Sequence, residues 1–134
     1  MSPLTIIPVR GIGEVRADDP LATLIADAAV EQDTPLLDGD CVVVTQKIVS
    51  KSENRLVAID PEDRAARRSL IEAESVRILR RRGDLLITET PHGFVCANAG
   101  IDLSNVDAGY AALLPVDSDR SARRIRDSLR AMRG

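Results

Sequence analysis

Residues 4–9, LTIIPV, are apolar and partly β-branched, which predicts a strand that Pro8 confines to a sheet edge or to its own end. Gly11-Ile12-Gly13-Glu14 then reads as a turn. Leu21, Leu24, Ile25, Ala28 and Ala29 recur at helical spacing, and Asp18 and Asp19 before Pro20 supply a start signal. A first helix is therefore predicted from about Pro20 to Gln32. After the turn Leu37-Asp38-Gly39-Asp40, the run Cys41-Val42-Val43-Val44-Thr45 is the most β-prone segment of the chain. A continuous apolar run of that length predicts a strand covered on both faces. The polar, lysine-bearing segment Gln46 to Lys51 follows it.

Pro61-Glu62-Asp63 opens a second predicted helix, rich in Arg and Glu. Its core face is assigned to Leu70, Ile71, Ala73, Ile78 and Leu79, and Gly83 stops it. Leu85 to Thr88 and Phe94 to Cys96 read as a hairpin around the loop Glu89 to Gly93. Leu113, Leu114 and Val116 suggest a further strand. Asp119 would cap a last helix that carries Ala122, Ile125, Leu129 and Met132 on one face. The sum is a mixed α/β (α+β) chain with a mixed sheet and about three helices.

The length of 134 residues fits one domain, with a hydrophobic fraction of 44% and a charged fraction of 29%, as in a soluble globular protein. The apolar face of the last helix needs a partner, and a helix after a strand usually leads into another strand. Residues 1–134 are therefore expected to be the N-terminal part of a domain that continues. Phe94 and Tyr110 are the only aromatic residues, so stacking platforms for single-stranded nucleic acid are missing. The net charge of -3 provides no uniform positive field for a polyanion, and the run Arg80-Arg81-Arg82 is read as the solvated end of the second helix. No stretch approaches the ~20 apolar residues that span a bilayer. Residues 1–10 lack the pattern of a secretory signal, and a cytoplasmic location is expected. Cys41 and Cys96 sit in apolar runs and are read as small buried side chains rather than a disulfide.

Lysine usage is the strongest anomaly: the chain has only Lys47 and Lys51, both in TQKIVSK directly after the predicted central strand. An ammonium on a flexible stem suits phosphate oxygens, and the C-terminal end of a buried strand is where α/β proteins commonly bind ligands. The alternative is two solvated lysines in an exposed loop. Asp102 with Ser104 and Asn105 in GIDLSN offers oxygen to a magnesium or manganese ion, although such clusters also serve as plain turn chemistry. His92, between Pro91 and Gly93, is either a proton-transfer group or an exposed hairpin residue. Glu14 is similarly open. No GxxxxGK[ST], GxGxxG, GxSxG or HExxH pattern occurs.

Three blocks, GDCVVVTQKIVSKSENRLV, LLITETPHGFVCANAGIDLSNV and LLPVDSDRSARRIRDSLR, resemble in order and spacing the N-terminal half of the coenzyme F-420:L-glutamate ligase family. The resemblance implies one lobe of that fold, in a homodimer, and an enzyme that uses GTP, Mg2+ or Mn2+, and K+. The implied reaction joins L-glutamate to the lactyl carboxylate of the coenzyme F-420 precursor through an acyl phosphate, then adds further glutamate by γ linkage. It also implies that Ile12-Gly13-Glu14-Val15 is a GTP-contacting turn and that Gln46, Lys47 and Lys51 bind nucleotide. Asn105 becomes another GTP contact, and Asp102 the metal ligand. Lys51 and the Asp102-bound metal would offset charge around the transferred phosphoryl group. Gly13 stands where family members often carry proline. The family domain continues for about as much chain again, with an Asp-Thr pair of metal ligands and a later nucleotide segment. The competing expectations are a non-catalytic α/β ligand-binding or oligomerisation module, and a kinase-like enzyme acting on another acid.

Overall fold

The computed structural model describes residues 3–104 and 108–133. Hairpin pairing organises the middle of the chain. Strands β2 (Arg77–Arg82) and β3 (Leu85–Glu89) run antiparallel with Arg82 opposite Leu85. Gly83 and Asp84 alone connect them, and Gly83 lies at φ +58°, a left-handed conformation that glycine adopts without a Cβ penalty and that tight two-residue hairpins require. Strand β4 (Val95–Ala97) adds to β3, giving the order β2-β3-β4. A second, two-stranded antiparallel sheet pairs β1 (Leu56–Ala58) with β5 (Tyr110–Ala112), Leu56 opposite Ala112.

Helix α3 (Arg64–Ala73), whose free amides are capped by Asp63 accepting from Ala66 N, presses Ile71 into the first core. There Ile71 meets Ile59, Leu86, Ala99, Ile101, Ala111 and Leu113. Buried polar groups in this core are paired, as burial demands: the Thr88 hydroxyl accepts from Ala99 N at 3.0 Å, and Asn98 Oδ1 accepts from Leu86 N at 2.9 Å. The second core lies where helix α1 (Leu21–Glu31), the short helix α2 (Gln46–Ser52) and helix α4 (Ser118–Arg133) meet. Val15, Leu21, Ile25 and Val49 are buried in it.

The mixed α/β class, α1, the 85–97 hairpin and the last helix agree with the expectations from sequence. Several local assignments change. Residues 4–9 form no strand, and Leu4 and Ile6 lie exposed. Cys41–Thr45 forms no paired strand either: exposed and half-buried residues alternate along it, so one face alone is covered. The lysine segment after it is helical, not the exposed loop of the alternative reading. The second helix ends at Ala73, not Gly83, because pairing with β3 outweighs the helical propensity of the Arg-rich run. Arg80–Arg82 is therefore strand, and Gly83 makes a hairpin rather than a helix stop. The expected strand at 113–116 falls three residues earlier, and all strand pairs among the described residues are antiparallel. Asp117, not Asp119, accepts from Arg120 N at the start of α4, and Asp19 accepts from Arg16 N instead of capping α1. Cys41 is exposed and Cys96 half-buried, so neither fills a core.

Candidate functional site

Helix α2 begins after Thr45, whose extended backbone (φ -71°, ψ 148°) turns the chain into it. Its inward face is set by Ser50, fully buried, whose hydroxyl donates to the carbonyl of Leu113. Gln46, one turn earlier, donates through Nε2 to the same carbonyl at 3.0 Å and to the Ser50 hydroxyl at 2.8 Å. Leu113 directly follows β5, and Ala112 exchanges both main-chain hydrogen bonds with Asp102, at 2.8 and 3.0 Å. The Gln46–Ser50 clamp thus fixes α2 against the backbone that carries Asp102.

The consequence is a meeting of residues far apart in sequence. Lys47 Nζ lies 2.9 Å from Asp102 Oδ2 and also donates to the Ser104 hydroxyl. Lys51 stands one turn further on the same helix face, so the two lysine Cβ atoms are roughly 6 Å apart. Lys51 is paired with Glu14, and its side chain is only 11% exposed. Asp18 N donates to Ser52 O at 2.9 Å, which ties the segment after the 12–15 turn to the end of α2. Ile12, Gly13, Glu14 and Val15 therefore flank one side of the lysine pair, and Asp102 with Ser104 the other.

The electrostatics follow from these contacts. The Lys51 hydrogen bond, then its charge, holds the Glu14 carboxyl below its ordinary range. Partial burial pushes the Asp102 carboxyl up, but hydrogen bonds from Lys47 and from the Ser104 amide and hydroxyl outweigh it and leave the group depressed. Both acids stay ionised at neutral pH, and each holds one lysine in place. Val15 is buried and Ile12 half-buried in the second core, so those two side chains do packing work and leave only their backbone for a ligand to contact. Asn105 lies outside the described residues.

For a divalent cation the described residues supply Asp102 and no cluster of three ligating acids, histidines or cysteines. Asp102 fits as one carboxylate ligand of a hard ion whose remaining positions go to water and phosphate, provided Lys47 releases it. His92 is not at the site: its Nε2 lies 2.8 and 3.0 Å from the carbonyl oxygens of Pro115 and Val116, and its ring stacks on Phe94 at 5.7 Å. It fastens the hairpin loop to the turn before α4. A cavity of about 810 Å3 lies on the α4 side of α2 and shares only Gln46 with the candidate residues. Ser50 escaped sequence reasoning, although a small polar residue one turn from Gln46 is the signal that finds it.

Comparison with known proteins adds the following. A profile of the family described as F420-0:Gamma-glutamyl ligase matches residues 11–134. The coenzyme F420:L-glutamate ligase of Methanothermobacter thermautotrophicus is 44% identical, covering 98% of this chain and 58% of its own length. The enzyme of the same name from Methanopyrus kandleri is 40% identical, covering 98% of this chain and 56% of its own length. That from Methanococcus maripaludis strain C7 is 36% identical over 75% of this chain and 46% of its own. The chain spans about half the length of the curated relatives it matches. No described helix is long and apolar enough to cross a membrane.

Proposed function

The chain belongs to the F420-0:gamma-glutamyl ligase family, and from that premise we propose that it forms the phosphate- and metal-facing half of a GTP-dependent amide ligase. The reaction joins the amine of L-glutamate to the lactyl carboxylate of the coenzyme F-420 precursor and then extends the product by γ linkage. The observation that carries the proposal is the union of Lys47 with Asp102, 55 residues away in sequence, on the helix face that also presents Lys51.

Chemistry explains why those groups are needed. A carboxylate does not condense with an amine in water. One of its oxygens attacks the γ-phosphorus of GTP, GDP departs, and the resulting acyl phosphate has a good leaving group. The glutamate nitrogen then attacks the acyl carbon, inorganic phosphate leaves, and the amine gives up a proton. Negative charge accumulates on phosphate oxygens in the first step, so positioning and charge stabilisation are the protein's main contribution. In this reading triphosphate oxygens replace the Glu14 and Asp102 carboxylates on the two ammonium groups. The backbone of Ile12 to Val15 and the side chain of Gln46 border the nucleotide. Asp102, once released from Lys47, would hold Mg2+ or Mn2+, which would supply further charge neutralisation.

The test is calorimetric titration of GTP, with Mn2+ and K+ present, into this chain and into a chimera in which it replaces the matched region of the Methanothermobacter relative. Binding by the chimera, weakened at least tenfold by Lys51→Ala, is expected, together with GTP consumption when precursor and glutamate are present. A folded chimera that neither binds nor consumes GTP would leave only a non-catalytic α/β module. Consumption with another acceptor acid in place of the precursor would reassign the substrate. Sedimentation of the same samples measures whether the homodimer implied by family resemblance forms.

A further inference from the structure

The second core is unsealed on one side. Leu36, Val42, Val44 and Ile125 pack against its buried centre yet remain only half-buried. All four line the cavity of about 810 Å3 between residues 36–44 and α4. Closed protein interiors hold few voids larger than a water molecule, so an opening of this size along a core is a place for packing atoms.

The wall facing α4 is an open strand edge. Burial alternates along Cys41–Val44 with the period of extended chain, and Val43 points outward at 89% exposure. Among the described residues no main-chain hydrogen bond joins Cys41, Val42, Val43 or Val44 to any other segment. A β-branched run with free amides and carbonyls is a template for one more strand. A small apolar ligand would fill the groove but leave those polar groups unpaired. Across the groove α4 contributes Arg123, Arg126 and Arg130, while Asp38 and Asp40 line the same cavity, so its polar rim carries both charges.

We propose that this groove receives an extended, largely apolar strand from the part of the family chain that this chain does not match. The strand pairs with Cys41–Thr45 and covers Val42, Val44, Ile125 and Leu129. The identity of this chain with the Methanothermobacter relative extends over 98% of it, yet that relative has chain beyond the 58% it shares, and this is material for closing the core. The inference stands whether or not nucleotide binds.

Cys41, exposed on the edge, is the reporter, and Cys96→Ser removes the other cysteine. The unmatched portion of the Methanothermobacter relative is added as a separate polypeptide. Alkylation of Cys41 and amide hydrogen exchange at residues 42–44 are followed. Both rates are expected to fall at least tenfold, saturably, and Val43→Pro or Val42→Asp should abolish the effect. If the added polypeptide does not fold alone, the same two rates are read in the chimera. Unprotected amides and a reactive Cys41 beside a folded partner, or in the chimera, overturn the proposal. So does protection that rises with the concentration of this chain alone, with a doubled mass in sedimentation, because a second copy would then cover the edge.

Discussion

The Leu113 carbonyl offers a double-mutant cycle whose outcome is calculable from geometry. It is held by two donors, the Ser50 hydroxyl and Gln46 Nε2 at 3.0 Å, in a residue that is 3% exposed. Ser50→Ala removes one donor and leaves the other. Gln46→Ala does the converse. Each single variant therefore loses two hydrogen bonds, its own to the carbonyl and the shared one between Gln46 and Ser50, about 2 kcal/mol. The double variant leaves a buried carbonyl with neither donor, which adds a desolvation cost of roughly 1–3 kcal/mol. The expected total is about 4–6 kcal/mol, three lost bonds plus the desolvation cost, against about 4 from summing the singles, which counts the shared bond twice. The assay is urea unfolding at pH 7 and 25 °C, comparing midpoints at constant m-value. The double variant should also bind nucleotide and metal less well in the chimera, because this clamp fixes Lys47 against the Asp102 backbone. A double variant that costs about 1 kcal/mol less than the sum of the singles would refute the argument and mean that water from the neighbouring cavity reaches the carbonyl.

Ile71→Ala, at a 2% exposed position in the first core, should cost about 2–5 kcal/mol in the same unfolding assay; a loss under 1 kcal/mol would show that the core collapses around the gap. For Asp102 the folded pKa lies below the ordinary value of about 3.9, so its stabilisation is present above that value and is lost as pH falls through the lower folded one. Asp102→Asn should therefore flatten the stability profile below about pH 4, and an unchanged acid limb would remove the Lys47 pair from the account. Glu14→Gln frees Lys51 of its carboxylate and should tighten GTP binding by the chimera, read by titration; weaker binding would make the Glu14 charge a positive contributor to the ligand site.

How much was readable in advance depended on how local the cause was. α1 and the last helix follow from apolar residues at helical spacing, and the 85–97 hairpin from two short apolar runs around a Pro-His-Gly loop. The lysine anomaly was legible because composition needs no coordinates. The pairing of β1 with β5 was invisible, since Leu56–Ala58 and Tyr110–Ala112 are three-residue strands whose partners lie more than fifty positions apart. Arg-rich chain has good helical propensity, so sequence alone extends the second helix too far, and only β3 lying alongside turns residues 77–82 into strand.

The same division applies to the site. Residue types alone made Lys47, Lys51 and Asp102 candidates for phosphate and metal, because charge and ligand softness belong to side chains wherever they lie. Which lysine meets which acid was a tertiary decision: the β5 backbone sets Asp102 beside the first turn of α2, and the 12–18 segment sets Glu14 beside the last. Burial of the Val42–Val44 run was likewise beyond the sequence. Hydrophobicity states that such a run gains by being covered, whereas only the packed chain reveals that one of its faces has no cover among the described residues.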